Sequence, residues 1–264
     1  STQEAKSNFQ WKQLTQKKRI KLPKLIGHRG LKDLCPENTL ESFNKAFDIG
    51  LKYIELDVKI SKDEIPIVLH DDSLERTTNH FGPPTEYNYS ELRELDAGAH
   101  FYNKKTNIII PKLIDVLDLC KKRNGGLNIE LKPNKGFEIK NVRKIIELTE
   151  NYKSIEIFFS SFDLASFIEI SNELPNSNRS FLIDTFKDYS LEQIINLSSL
   201  YNSNICGLSL SLLSQEIINI IKKKDLLITV YSDKNMNLQE VEECFNIGVD
   251  SIFIDDPKNL SKYF

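Results

Sequence analysis

Four short stretches carry side chains that core packing does not need. Gly27-His28-Arg29-Gly30 follows the apolar pair Leu25-Ile26, so a histidine and an arginine stand at a strand end between two glycines. Histidine is the side chain most easily tuned for proton transfer near neutral pH. Arginine stays charged, and its planar fork fits phosphate oxygens. The second stretch, Tyr53-Ile54-Glu55-Leu56-Asp57-Val58-Lys59-Ile60, alternates strictly. Side chains alternate along a strand, so Ile54, Leu56, Val58 and Ile60 share one face, and Glu55 and Asp57 share the other. The third, Asn128-Ile129-Glu130-Leu131-Lys132, repeats the pattern with Glu130 and Lys132 on one face. The fourth ends the run Ile65-Leu69 in His70, followed by Asp71-Asp72.

Adjacent buried carboxylates repel one another and resist leaving water, so Glu55, Asp57 and Glu130 together call for a cation. Oxygen donors with no thiolate nearby suit one hard divalent ion, Mg²⁺ or Ca²⁺, better than zinc. His28 and His70 end strand-like runs on either side of the carboxylate strand. That placing suits a general acid and a general base facing one reacting centre. The competing reading is an amphipathic edge strand with solvent-facing acids and Glu130-Lys132 as a surface pair. It weakens if the strand is central in a barrel, where no solvent face exists. His80 and His100 sit in polar loop text and are not assigned to the site. Asp115, Asp118, Asp163 and Asp184 read as solvated faces or caps, and Asp255-Asp256-Pro257 ends the last strand at the same mouth.

The elements that must position these residues alternate along the chain. Strands are predicted at Leu25-Ile26, Tyr53-Ile60, Leu127-Leu131, Ile155-Ser160, Ser180-Ile183, Ile205-Leu210, Leu226-Val230 and Ser251-Ile254. Helices are predicted between them at Thr39-Ile49, Lys112-Lys122, Glu138-Asn151, Leu164-Leu174, Leu191-Ser198, Ser214-Lys223 and Leu238-Ile247, with Gly50 and Gly248 as stops and Ser214 as a start. Eight strands alternating with helices predict an α/β fold, a TIM (β/α)8 barrel of parallel strands. A doubly wound open sheet is the second choice, without a Gly-rich dinucleotide turn after the first strand. One connection, Ser61 to Pro111, is too long for a structureless loop. It is read as an insertion after the second strand that covers one end of the barrel and forms part of the substrate pocket.

The chain has 264 residues, 40% of them hydrophobic and 28% charged, with a formal net charge of −3. That length supports one barrel-sized domain, residues 25–264, after a polar, basic N-terminal extension over residues 1–24. The charge balance gives no pull toward nucleic acid, and no apolar run approaches a membrane span, so no stable membrane insertion is expected. Cys35, Cys120, Cys206 and Cys244 lack metal or redox spacing and read as reduced, buried thiols, which favours a reducing, cytoplasmic compartment. The first residue is Ser rather than Met, so a processed start and secretion stay open. Monomer and homodimer both suit a barrel of this size. No GxSxG elbow, Walker loop or kinase signature set is found.

In order and spacing, the motifs resemble the glycerophosphodiester phosphodiesterase family. They are Gly27-His28-Arg29-Gly30, Pro36-Glu37-Asn38-Thr39, Glu55-Leu56-Asp57, Leu69-His70-Asp71-Asp72 with Arg76-Thr77-Thr78, Leu95-Asp96-Ala97-Gly98, Ile110-Pro111, Glu130-Leu131-Lys132, and Gly248-Val249-Asp250 running to Asp255-Asp256-Pro257. The resemblance spans nearly everything from Leu25 to Leu260. It implies a TIM barrel that hydrolyses glycerophosphodiesters, small-molecule substrates of glycerol and lipid metabolism, to sn-glycerol 3-phosphate and an alcohol with a divalent cation. It places His28 and His70 at acid-base positions, Glu55, Asp57 and Glu130 at metal-ligand positions, and Arg29 and Lys132 at phosphate contacts. Two alternatives are a related lysophospholipase D-like barrel, which needs an apolar rim around the insertion, and a non-catalytic phospho-ligand-binding barrel, which needs an eroded site. The sequence departs from the family's frequent Trp-Thr-Val-Asn run with Ile228-Thr229-Val230-Tyr231. It also departs from the frequent Ser-Trp-Phe with Ala99-His100-Phe101. Both departures are expected to line the pocket and to bear on substrate preference.

Overall fold

The computed structural model describes residues 20–264. Each of the predicted apolar runs forms a strand, and one further short strand joins them. In chain order these are β1 (Leu25–Gly27), β2 (Tyr53–Ile60), β3 (Pro66–Val68), β4 (Gly126–Leu131), β5 (Ile157–Ser161), β6 (Asn178–Ile183), β7 (Ile205–Ser209), β8 (Leu227–Tyr231) and β9 (Ser251–Ile254). The order β1-β9-β8-β7-β6-β5-β4-β2 is parallel throughout, and pairing of Gly27 with Ile54 closes β1 on β2 into a barrel. Since β1 is short, the upper edge of β2 is free to pair antiparallel with β3, Val58 opposite Val68.

The helices Leu40–Ile49, Leu113–Arg123, Glu138–Thr149, Leu164–Glu173, Leu191–Leu200, Gln215–Lys222 and Leu238–Ile247 cover the outside. Their ends follow from local chemistry. Thr39, Asp163, Ser190, Ser214 and Asn237 accept hydrogen bonds from backbone N–H groups in the first turns, satisfying donors that the helix leaves unpaired. Gly50 and Gly248 end their helices in the left-handed conformation at φ 119° and 113°.

The alternation of β2 sorts its side chains as the sequence predicts. Ile54, Leu56 and Val58 join the core between barrel and helices. Inside the barrel, Tyr53 packs with Ile20, Ile26, Phe158, Ile205 and Phe253 in a second apolar cluster. Gly126, opposite Tyr53, leaves room for that ring, since a Cβ there would lie 2.2 Å from it. Ile20 lies in the stretch predicted as an extension, yet it is buried in this cluster; the rest of that stretch up to residue 19 lies outside the described residues.

The insertion holds its own small core of Ile67, Leu69, Leu74, Tyr89, Leu92, Ala97 and Ile110. It is therefore a packed subdomain beside the barrel, with short helices at Tyr89–Leu92 and Ala99–Tyr102. Among the described residues, no helix is long and apolar enough to cross a membrane.

Candidate active site

The inward faces of β2 and β4 meet in register, with Asp57 paired to Glu130 and Glu55 to Asn128. That register converts two sequence patterns 73 residues apart into one cluster. Oxygens of Glu55, Asp57 and Glu130 lie within 4.8 Å of one another. Glu55 and Asp57 are almost fully buried. Asn38 Nδ2 donates to Asp57 Oδ2 at 3.0 Å, and the Arg29 backbone N–H donates to Glu55 Oε2 at 2.9 Å. Glu55 Oε1 is buried with no hydrogen-bond partner.

Burial, with Asp57 and Glu130 close by, pushes the Glu55 carboxyl well above its usual range. Burial and Asp57 push Glu130 up to about 8. Burial works against Asp57 too, but Arg29, His70, Lys132 and the Asn38 hydrogen bond overcome it and hold that carboxyl at about 2. Two of three buried acids thus resist ionising beside the third. A cation among them removes the repulsion and gives Glu55 Oε1 a partner. The donor set, oxygen only, could hold a hard divalent ion.

The turn after β1 brings the other groups over this cluster. Arg29 sits at φ 51°, a conformation that costs a non-glycine residue energy. Gly30 follows at φ 82°, and a Cβ there would meet Ser42 Oγ at 2.2 Å. Ser42 Oγ fixes the turn by donating to Arg29 O and accepting from the Leu31 N–H. His28 Nδ1 lies 2.7 Å from Asp255 Oδ1, and its Nε2 lies 3.8 Å from Glu55 Oε2. His70 is bound in the same way, with Nδ1 2.7 Å from Asp71 Oδ1. Burial, opposed by the Asp57 charge, holds the His70 ring below its ordinary value, which favours the neutral form. In both rings a carboxylate at Nδ1 favours the tautomer that leaves Nε2 as the acceptor.

A ladder of charges joins the two sides. Arg29 Nη1 donates to Glu37 at 2.8 Å, Arg76 donates to Glu37 at 2.6 and 3.0 Å, and Arg76 also donates to Asp71 at 2.8 and 2.9 Å. Behind it, the fully buried Lys59 donates to Lys132 O at 2.7 Å and Asp72 Oδ1 at 3.2 Å. It ties the end of β4 to the loop carrying His70.

His28, Arg29, Glu55, Asp57, His70 and Glu130 all line one cavity of about 410 Å³. Lys132 is not among the lining residues; its Nζ lies 3.7 Å from Glu130 Oε2 and 5.7 Å from the Phe162 ring centre. The opposite wall comes from Phe162, Leu182, Asp184, Tyr231, Ser232 and Asp233. Asp184, read as a solvated residue, is exposed but stands on that wall. Of the two departures from the family text, Tyr231 lines the cavity, whereas Ala99-His100-Phe101 does not, because the insertion folds it into the short helix Ala99–Tyr102. The insertion supplies one lining side chain, His70. The contacts of Asp255, Glu37, Arg76 and Lys59 are not visible in the sequence. Only the adjacency of Asp71 to His70 signalled such a partner.

The model of the glycerophosphoryl diester phosphodiesterase family matches residues 28–259. A glycerophosphodiester phosphodiesterase of Bacillus altitudinis is 31% identical over 248 residues, covering 91% of this chain and 98% of that protein. One from Caldanaerobacter subterraneus is 28% identical, covering 89% and 95%. Among solved structures, an Oleispira antarctica phosphodiesterase in complex with the product sn-glycerol-3-phosphate superposes with a TM-score of 0.84 at 27% identity, covering 92% of this chain and 96% of that one.

Proposed function

The chain belongs to the glycerophosphoryl diester phosphodiesterase family, a family of phosphoric diester hydrolases, and on that premise we propose that this cavity hydrolyses glycerophosphodiesters to sn-glycerol 3-phosphate and an alcohol. The observation that carries the reading is the meeting of two carboxylate-bound histidines over one cluster of three carboxylates. Glu55, Asp57 and Glu130 would hold one divalent ion, Mg²⁺ or Ca²⁺. When bound, the ion supplies positive charge that polarises a phosphoryl oxygen and orients the nucleophile.

The chain's own residues do the rest. Arg29, held by Glu37 and Asp57, presents a fixed positive charge to the non-bridging oxygens. Lys132 reaches the same phosphate by swinging away from Glu130 and Phe162. One histidine, unprotonated at Nε2, takes the proton of the attacking hydroxyl or water, and the other, entering the step as an imidazolium protonated from solvent, gives its Nε2 proton to the leaving alcohol. Asp255 and Asp71 keep both rings oriented and stabilise each imidazolium as it forms. Phosphorus chemistry of this kind asks the protein chiefly for positioning and charge.

The lysophospholipase D-like alternative gains no support from the insertion. Its large exposed apolar side chains are Phe81 and Tyr102, whose rings pack on His80 and Phe101, two residues rather than a continuous apolar rim. The barrel domain after residue 24 carries the activity in this account, with a soluble small-molecule substrate. The test is product identity. Incubation with glycerophosphocholine should release choline and glycerol 3-phosphate. Release of phosphocholine and glycerol, or of nothing, would overturn the assignment.

A further inference from the structure

The wall facing the carboxylate cluster has a chemistry of its own. Phe162 follows β5, Asp184 follows β6, and Tyr231 ends β8 with Asp233 two residues on. The rings of Phe162 and Tyr231 meet edge to face, 5.6 Å between centres at 85°. Tyr231 is fixed by donating its hydroxyl to Ile183 O at 2.9 Å. Phe162 already accepts an ammonium, with Lys132 Nζ 5.7 Å from its centre. Asp184 and Asp233 are exposed at the rim. Burial first, then the charges of Asp184, Glu130 and Asp233, push the Tyr231 phenol above its ordinary value. Arg29 and Lys32 stand across the cavity on the β1 side.

The site is therefore polarised, with basic groups on one side and aromatic faces backed by carboxylates on the other. A weakly hydrated cation is attracted by both aromatic faces and carboxylates and needs no directional hydrogen bond. A neutral polyol gains there only hydrogen bonds that water also offers. Tyr231 stands where the family text often carries Asn, so the aromatic corner comes from a residue in which this chain departs from that text.

Building on the diesterase reading, we infer that the Phe162–Tyr231 wall receives the leaving alcohol and selects alcohols that carry a quaternary ammonium group, as choline does.

The test compares kcat/KM for glycerophosphocholine with that for its uncharged tert-butyl isostere, in which carbon replaces the ammonium nitrogen. Wild type should prefer the charged diester by about fivefold, the scale of one or two cation–ring contacts. In the double variant Asp184→Asn, Asp233→Asn the preference should fall toward unity. Both positions are exposed, so the fold should tolerate these changes, and Tyr231→Leu gives an independent second reading of the same ratio. A wild-type ratio near one, or a ratio unchanged in the variants, overturns the inference. So does an equal loss on both diesters, which would place the glycerol on this wall instead. If neither diester releases glycerol 3-phosphate, it is the diesterase reading that fails. Calorimetric titration with the same two compounds then still decides the subsite: tighter binding of the charged one supports it, and equal binding overturns it.

Discussion

Asp255→Asn should slow the reaction without unfolding the protein. Asp255 Oδ1 lies 2.7 Å from His28 Nδ1, and Lys32 Nζ holds the other carboxylate oxygen at 3.3 Å. The residue's backbone is anchored separately: its N–H donates to Asn235 Oδ1, and its carbonyl accepts from the Asp33 N–H. The amide should therefore stay in place while the charge disappears. A hydrogen bond to a charged group is worth about 1.5–3 kcal/mol. If the bond strengthens as His28 gains its proton, its loss raises the barrier by that amount, a fall of about 10- to 150-fold in rate. Asparagine can also present its NH₂ to Nδ1, favouring the tautomer with the proton on Nε2, which pushes the loss to the upper end or beyond. The assay is kcat for glycerol 3-phosphate release, with circular dichroism to confirm folding. The fall should appear in kcat more than in KM, because the contact acts on a proton-transfer step. A folded variant within about threefold of wild type would refute the reasoning, since the contact would then contribute nothing of the size that principle requires.

Three further outcomes follow from the charge ladder and the buried cations. Glu37 is held below its ordinary value of 4.5; burial opposes this, but the Arg76 hydrogen bond and the Arg29 charge prevail. A depressed folded-state value means that its stabilisation is complete above the unfolded value and is lost as pH falls through the folded one. Glu37→Gln should therefore lower Tm at neutral pH, and the gap to wild type should close in acid; a gap independent of pH would contradict the assignment. Lys59→Met should reduce kcat about tenfold or more by freeing the His70 loop from the end of β4, with partial recovery in Lys59→Arg; it removes a buried charged hydrogen bond to Lys132 O. Arg179 is fully buried and donates to the carbonyls of Tyr201 and Pro175 and to the hydroxyls of Ser171 and Ser177. Arg179→Met strands those acceptors and should cost about 2–5 kcal/mol in urea denaturation.

The barrel is legible because strand and helix periods leave distinct marks. Tyr53-Ile60 alternates so regularly that its bounds and its inward face are both readable, and Gly50 and Gly248 mark helix ends by their left-handed backbone. Glu55, Asp57 and Glu130 converge because neighbouring parallel strands place equal heights side by side. Asp255 was not assignable to His28, because 227 residues separate them and only the register of β1 against β9, Gly27 opposite Ile254, joins them. Glu37 and Arg76 are hidden for a similar reason: they lie 39 residues apart in two separate turns that meet only in the folded chain. Lys132 shares the inward pattern with Glu130, but a long flexible side chain is placed by its partners rather than by strand periodicity, and here Glu130 and Phe162 claim it. The insertion was expected over the pocket, but enough of its apolar residues pack on one another that it contributes a wall through His70 alone.

Metal and histidine dependence are tested together by glycerol 3-phosphate release from glycerophosphocholine, measured for wild type and His28→Ala with and without a chelator, and with Mg²⁺ or Ca²⁺ restored. Release should stop on chelation, return with one of the two ions, and fall by about 10²- to 10⁴-fold in the variant, the usual scale for one acid-base group. Release that survives chelation would remove the metal role from Glu55, Asp57 and Glu130, and release undiminished in His28→Ala would remove the acid-base role from His28.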